Sequence, residues 1–152
     1  MNDRILVLGL GNPLMSDEGI GGFLIERFLA EKKYSNVDFL DAGTGGMSLL
    51  HLIDGRKKVI LIDCALMGTP PGTIKRFTPQ DVKSIKNLLH YSLHEIDILK
   101  VLDIAKQLDQ CPEQVVIFAI EPLAIELNQQ ITPALKEKIP AYLEKISEDF
   151  SL

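Results

Sequence analysis

Three side chains that can bind a metal stand where the sequence changes from one predicted element to the next. Glu18 follows an apolar run and a glycine turn, Asp63 ends another apolar run, and His94 comes shortly after a serine that can begin a helix. The three lie 45 and 31 residues apart, so no single-helix motif such as H-E-x-x-H can hold them together. If their turns open on one edge of a sheet, two carboxylates and an imidazole form a set suited to a divalent metal with open coordination positions.

The predicted surroundings of these residues favour the forms that bind metals. A helix N-terminus stabilises the carboxylate of Glu18 and disfavours the protonated imidazole of His94. Metal binding requires ionised acids and a neutral histidine. Each of these two residues also has a simpler explanation, since an acid or a histidine in a first helical turn can serve the helix end alone. Asp63 is better placed, because ligand groups collect where the buried strands of a parallel sheet end.

Strands that alternate with helices must position these residues. Continuous apolar runs predict buried strands, and apolar residues at helical spacing follow most of them. We expect strands over residues 5–8, 37–40, 58–62, 73–77 and 115–120, the fourth of them at an exposed edge. We expect helices after residue 20, over 47–53, after a Ser92–Glu95 capping box, and after Thr132-Pro133 with an interruption at Pro140. This order predicts an α/β fold with a mostly parallel twisted sheet of about five strands sandwiched between helices.

Composition excludes several classes of protein. The 152 residues, 46% of them hydrophobic, suit one core, so we expect a single domain over residues 1–152. The net charge of −5 and the absence of a basic face argue against a nucleic-acid partner. The first apolar run is only about a strand long, too short for a signal peptide or a membrane span. Cys64 and Cys111 match neither a zinc spacing nor a disulfide framework, so we expect a protein of the reducing cytoplasm. We also expect a monomer with no membrane partner.

Two other kinds of site are weaker. Cys64 could act as a thiol nucleophile with His94 as its base, but a cysteine at the end of a buried strand is usually a small hydrophobic residue. Gly9-x-Gly11 suggests a module that binds a nucleotide or S-adenosylmethionine, with Asp41 or Asp63 on a ribose. The fingerprint for that module needs a third glycine where this chain has Leu14.

Four short motifs occur in an order typical of one enzyme family. They are Gly9-x-Gly11-Asn12-x-Leu14-x-x-Asp17-Glu18-Gly19-x-Gly21, then Asp41-Ala42-Gly43-Thr44, then the apolar run that ends at Asp63, then Ser92-Leu93-His94-Glu95. In these motifs the sequence resembles the hydrogenase maturation endopeptidases, which trim the C-terminal extension from the large subunit of nickel-iron hydrogenases after nickel insertion. The resemblance covers roughly the first two thirds of the chain. One departure is Ala42, where many members have glycine.

The resemblance implies a function and a set of site residues. Glu18, Asp63 and His94 would be the metal-binding and catalytic residues, and Asp41 an auxiliary that orients the glycine-rich turn or assists the substrate. The metal would be nickel, supplied by the hydrogenase large-subunit precursor, and no organic cofactor is expected. The implied activity is that of an endopeptidase that recognises the nickel already bound in its substrate. A non-catalytic partner protein that only binds a metal or another chain is a third possibility.

Overall fold

The fold is an alternation of strands and helices. The computed structural model describes residues 4–81 and 93–150, and for residues 93–97 it describes the main chain alone. The strands are β1 Ile5–Leu10, β2 Val37–Gly43, β3 Lys58–Cys64, β4 Ile74–Phe77 and β5 Gln114–Ile120. The helices are α1 Ile20–Glu31, α2 Leu49–Ile53, α3 Leu93–Gln107, α4 Pro133–Lys136 and α5 Ile139–Ser147, with a 3-10 helix, Ser16–Gly19, directly before α1. Within the described residues, no helix combines the length and the apolar character needed to cross a membrane.

The five strands form one sheet in the order β2-β1-β3-β5-β4. Four of them are parallel, and β4 pairs antiparallel with β5 at one side of the sheet. The prediction of a single α/β domain with a mostly parallel five-stranded sheet is therefore confirmed. Because the parallel strands all end on the same side, the sheet has one carboxyl edge, the position at which open α/β sheets bind ligands.

Apolar side chains cover both faces of the sheet. On one face, which we call the α3 face, residues such as Leu61 pack with α2 and with α3. On the other, the α1 face, residues such as Ile62 pack with α1, α4 and α5. Successive residues of a strand point to opposite faces, so the last two residues of β3, Asp63 and Cys64, lie on opposite faces of the sheet.

Gly21 lets the start of α1 rest directly on the sheet. A Cβ atom at this position would lie 2.5 Å from the main-chain oxygen of Leu10 and 2.6 Å from that of Ile62. Gly9 of β1 faces the same contact, since a Cβ there would lie 2.5 Å from the main-chain oxygen of Gly21. The first turn of α1 is therefore seated on the carboxyl ends of β1 and β3.

We expect Gly21→Ala to destabilise the fold by about 2 to 3 kcal/mol, because the added methyl group meets main-chain atoms of two central strands that cannot move aside. Gly22→Ala is the matched control. A Cβ at Gly22 meets only the carboxylate of Asp41, at 2.6 Å, and a side chain can rotate away. Urea unfolding of both variants measures the difference. A Gly21→Ala protein as stable as the wild type would contradict the close approach of α1 to the sheet.

Several elements differ in extent from the prediction. β2 continues to Gly43, because Leu10 pairs with Gly43 beyond a bulge, so Asp41 lies inside a strand and not in a turn after it. β3 continues through Asp63 and Cys64. The interruption at Pro140 is confirmed, since α4 and α5 are separate pieces.

Some predictions fall on residues outside the described part of the chain. These are the Ser92–Glu95 capping box, of which Ser92 is not described, and the side chain of His94. Residues 79–81, at the end of the first described range, are helical.

Candidate active site

Asp63 is a fully buried acid near the end of β3. Its Oδ1 atom accepts a hydrogen bond from the main-chain N–H of Cys64 at 2.8 Å. Because Leu61 packs on the α3 face, the alternation along the strand places Asp63 on the same face. Acidic side chains are almost never fully buried without a specific structural or binding role.

Glu18 lies in the 3-10 helix that precedes α1, not in the first turn of an α-helix as predicted. This 3-10 helix packs against β3, the strand that carries Asp63. The glycine turn makes the approach possible, because Gly11 has a φ of +117° and a Cβ atom there would overlap the main-chain oxygen of Glu18. Gly11 and Gly21 together bring the half-buried Glu18 to the ends of β1 and β3.

The main chain places His94 at the same edge of the sheet. α3 runs from Leu93 to Gln107 and is followed by β5, which begins at Gln114 on the opposite, amino edge. A helix of 15 residues is about 22 Å long, so its first turn stands near the carboxyl edge. α3 also packs on the α3 face, where Asp63 lies.

The carboxyl edge thus receives Glu18, Asp63 and the backbone of His94 from three separate elements. Among the side chains that the structure describes, no group of three His, Cys, Asp or Glu residues is arranged to hold a metal. Only Glu18 and Asp63 of the three predicted ligands belong to that described set. Two carboxylates and an imidazole are a donor set that suits divalent transition metals such as nickel.

Asp41 lies apart from Asp63. Asp41 and Ile62 are both level with Gly9 but on opposite sides of β1, so their main chains are about 10 Å apart. Asp41 projects to the α1 face, where it contacts Gly22, and its Oδ1 atom accepts the N–H of Gly43 at 3.0 Å. This position favours an auxiliary role over membership of the same metal-binding set.

A cleft of about 420 Å³ opens beside Asp41 on the α1 face. Three glycines give it main-chain walls, and its other lining residues combine apolar side chains with charged ones. The lining residues are Gly11, Pro13, Gly19, Gly22, Phe23, Glu26, Asp41, Gln130, Ile131 and Lys136. The cleft therefore connects the glycine turn before Glu18 with Asp41.

Asp17 differs completely in its role from its neighbour Glu18. It is fully buried, and its carboxylate accepts the N–H groups of Leu123 at 2.9 Å, Ala124 at 3.1 Å and Thr132 at 2.7 Å. The hydroxyl group of Thr132 donates to the same carboxylate. Asp17 thus fixes the loop between β5 and α4 to the turn that carries Glu18. The sequence presents the two acids as a pair and gives no signal that separates them.

Glu121 is a second buried acid that holds a loop. Its Oε1 atom accepts the N–H of Met67 at 2.7 Å and both the N–H and the hydroxyl group of Thr69, at 3.1 and 2.9 Å. The same loop is held from α5, because the Tyr142 hydroxyl group donates to the main-chain oxygen of Gly72 at 2.6 Å. Burial, with a further contribution from the negative charge of Asp17, raises the pKa of Tyr142 to about 12. The sequence marks Glu121 only as an acid after a strand.

The rival sites find less support. Cys64 is buried in the apolar cluster of the α1 face, on the side of the sheet opposite Asp63, as expected of a small hydrophobic residue. Gly9 and Gly11 are explained by contacts inside the protein, with Gly21 and with the main chain of Glu18, so neither needs a bound phosphate to account for it. His51 is exposed on α2.

Comparison with known proteins gives consistent results. A family model described as hydrogenase maturation protease matches residues 24–149, a range that contains Asp41, Asp63 and His94 and begins after Glu18. The chain is 32% identical to the hydrogenase expression/formation protein HupD of Bradyrhizobium diazoefficiens, over 91% of this chain and 73% of that protein. It is 30% identical to the hydrogenase 2 maturation protease of Escherichia coli, over 94% and 88%.

Solved structures with the same fold include two such proteins. The hydrogenase maturating endopeptidase HybD from Escherichia coli superposes with a TM-score of 0.84 at 29% identity, covering 96% of this chain and 91% of that one. The [NiFe] hydrogenase maturation protease HybD from Thermococcus kodakarensis superposes with a TM-score of 0.80 at 26% identity, covering 97% and 99%.

Proposed function

Because the chain belongs to the hydrogenase maturation endopeptidase family, we propose that it removes the C-terminal extension of a nickel-iron hydrogenase large-subunit precursor. Cleavage follows nickel insertion, and the nickel bound in the precursor is the feature that the enzyme recognises. The substrate is thus a folded protein that brings its own metal to the site.

One observation supports this proposal more than any other. The start of α1 is seated on the ends of β1 and β3 through Gly21, which holds Glu18 against the strand that carries the buried Asp63. The helix with His94 in its first turn begins at the same edge. Two acids and a histidine at one edge of the sheet match the oxygen and nitrogen donors that nickel accepts.

In the proposed reaction, Glu18, Asp63 and His94 bind the nickel of the precursor and thereby fix the position of the scissile bond. The fixed geometry removes much of the entropic cost of bringing the bond, the water and the site together. Hydrolysis adds one water across the peptide bond, so that the large subunit keeps a new carboxylate and the extension leaves with a free amine. Held by these three residues, the nickel of the precursor would supply Lewis-acid character to the reaction.

Asp41 and the cleft beside it serve the peptide and not the metal. The cleft runs from Gly11 past Gly22, where main-chain groups can approach an extended chain closely. Asp41 is exposed, and its Oδ1 atom accepts the N–H of Gly43, which favours one orientation of the carboxylate before the substrate binds. It orients the glycine-rich turn or assists the bound segment.

The test uses one precursor in two forms, nickel-loaded and nickel-free, each mixed with the purified protein. We expect shortening of the large subunit in the loaded form alone, measured by the mass of the large subunit before and after incubation. Equal cleavage of both forms would contradict nickel recognition. Binding of the loaded precursor without any shortening would identify the chain as a non-catalytic partner and contradict the peptidase function.

A further inference from the structure

Four exposed aliphatic side chains form a surface beside the candidate active site. Leu14 belongs to the glycine turn after β1, and the other three alternate along the loop after β5 as Leu123, Ile125 and Leu127. They are between 40% and 63% exposed. The two segments are joined, since the N–H of Asn128 donates to the main-chain oxygen of Leu14 at 2.7 Å. We call these four residues the apolar surface.

The loop that carries this surface is held by buried polar groups. Besides the bonds to Asp17 described above, the Ser16 hydroxyl group donates to the main-chain oxygen of Ala124 at 2.8 Å and accepts the N–H of Glu126 at 2.9 Å. Ser16 adopts a φ of +47°, a conformation that is uncommon for residues other than glycine. The buried side chains of Ser16 and Asp17 thus hold the loop in one conformation.

The alternation along the loop separates apolar from polar residues. Ala124, Glu126 and Asn128 line a hollow of about 470 Å³ together with Ser16, whereas the intervening Leu123, Ile125 and Leu127 are absent from its lining. The three large apolar side chains of the loop therefore lie outside this hollow and are exposed. Large exposed apolar side chains on two joined segments are a feature of surfaces that bind other molecules.

We propose that the apolar surface binds a complementary apolar area of the folded large-subunit precursor, next to the base of its C-terminal extension. This inference rests on the proposed function and adds a second contact to it, away from the metal. The choice of partner follows from continuity with the site. Ser16 and Asp17, which hold the loop, immediately precede Glu18, so a protein bound to this surface stands at a fixed distance from Glu18.

Charge argues against a membrane as the occupant. The loop between β5 and α4 contains no lysine or arginine and carries Glu121 and Glu126, and the whole chain has a net charge of −5. An anionic lipid surface would be repelled, because such surfaces attract clusters of basic residues. A folded protein with an exposed apolar area is the partner that these features fit.

The test compares two double variants with the same substitutions. Leu123→Ser/Leu127→Ser removes half of the apolar surface. Leu29→Ser/Leu108→Ser is the control, since Leu29 and Leu108 are 52% and 54% exposed but lie toward the amino edge of the sheet. With nickel-loaded precursor, we expect the first variant to raise KM and the Kd of the complex by at least about 10-fold, because burial of leucine side chains stabilises protein complexes. We expect kcat to stay within about twofold, and the control to match the wild type.

Two results would overturn the proposal. One is the same KM and Kd for both double variants. The other is a wild-type dimer in light scattering that Leu123→Ser/Leu127→Ser converts to a monomer, which would make the surface a contact between two copies of this chain. Failure of the proposed peptidase function can be distinguished from failure of this proposal. If the wild-type protein binds the precursor without shortening it, the Kd values of the two double variants can still be compared. A wild type that neither binds nor cleaves the precursor overturns both.

Discussion

His94→Ala is expected to lower the rate of precursor cleavage by about a thousand-fold or more, because it removes one of three groups proposed to hold the reacting assembly in place. The fold should be retained. Among the described side chains of α3, Ile98 and Leu99 pack in the apolar core, and alanine is a good helix former. Cleavage of nickel-loaded precursor followed over time, together with thermal unfolding, measures both effects.

His51→Ala is the matched control for this substitution. His51 is exposed on the short helix α2, and its replacement should change neither cleavage nor the melting temperature. If His94→Ala cleaves the precursor at the full rate, His94 is not part of the site, and the proposed set of three ligands fails. If both variants lose activity equally, the loss is not specific to His94.

Asp17→Ala is expected to destabilise the protein by about 4 kcal/mol, since three main-chain N–H groups and the Thr132 hydroxyl group lose their common acceptor inside the protein. For a chain of this length, such a loss lowers the melting temperature by roughly 10 °C. Cleavage should fall as well, because the turn that carries Glu18 loses its connection to the loop. Differential scanning calorimetry measures the first effect and the cleavage assay the second.

Glu18→Gln separates structure from function at the neighbouring position. Glu18 is only half-buried, so its replacement by the isosteric amide should leave the melting temperature within a few degrees while cleavage is lost. Both substitutions are therefore expected to lower cleavage, but only Asp17→Ala is expected to lower the melting temperature. Unfolding of Glu18→Gln combined with full stability of Asp17→Ala would contradict the roles assigned to them.

The architecture could be predicted from the sequence because it depends on local patterns. Apolar runs such as residues 58–62 are too continuous for a half-exposed strand. Between these runs lie segments whose apolar residues have helical spacing, and this order favours a parallel sheet covered on both faces. Pro140 marks a helix boundary because its ring cannot continue a helix from the preceding turn. These features need no knowledge of what each segment contacts.

The differences between prediction and structure arise from contacts between distant residues. β2 extends to Gly43 because Leu10 of β1 pairs with Gly43. The sequence of β2 alone does not show where this pairing ends. Asp17 holds Leu123 and Thr132, which are 106 and 115 residues away, so its role depends on a loop that the local sequence cannot place. The positions of Glu18, Asp63 and His94 next to predicted elements, together with the family resemblance, predict them as a set, whereas the separate role of Asp17 required the structure.

The bonds from Asp17 also have a consequence for how the protein matures during synthesis. The ribosome makes the turn with Glu18 before Leu123, Ala124 and Thr132, which hold this turn and lie more than 100 residues further along the chain. Contacts over such sequence separations form late in folding. A nascent chain would therefore contain all three proposed ligands before it could hold them together, so the proposed site would assemble only after the segment with Thr132 has been made.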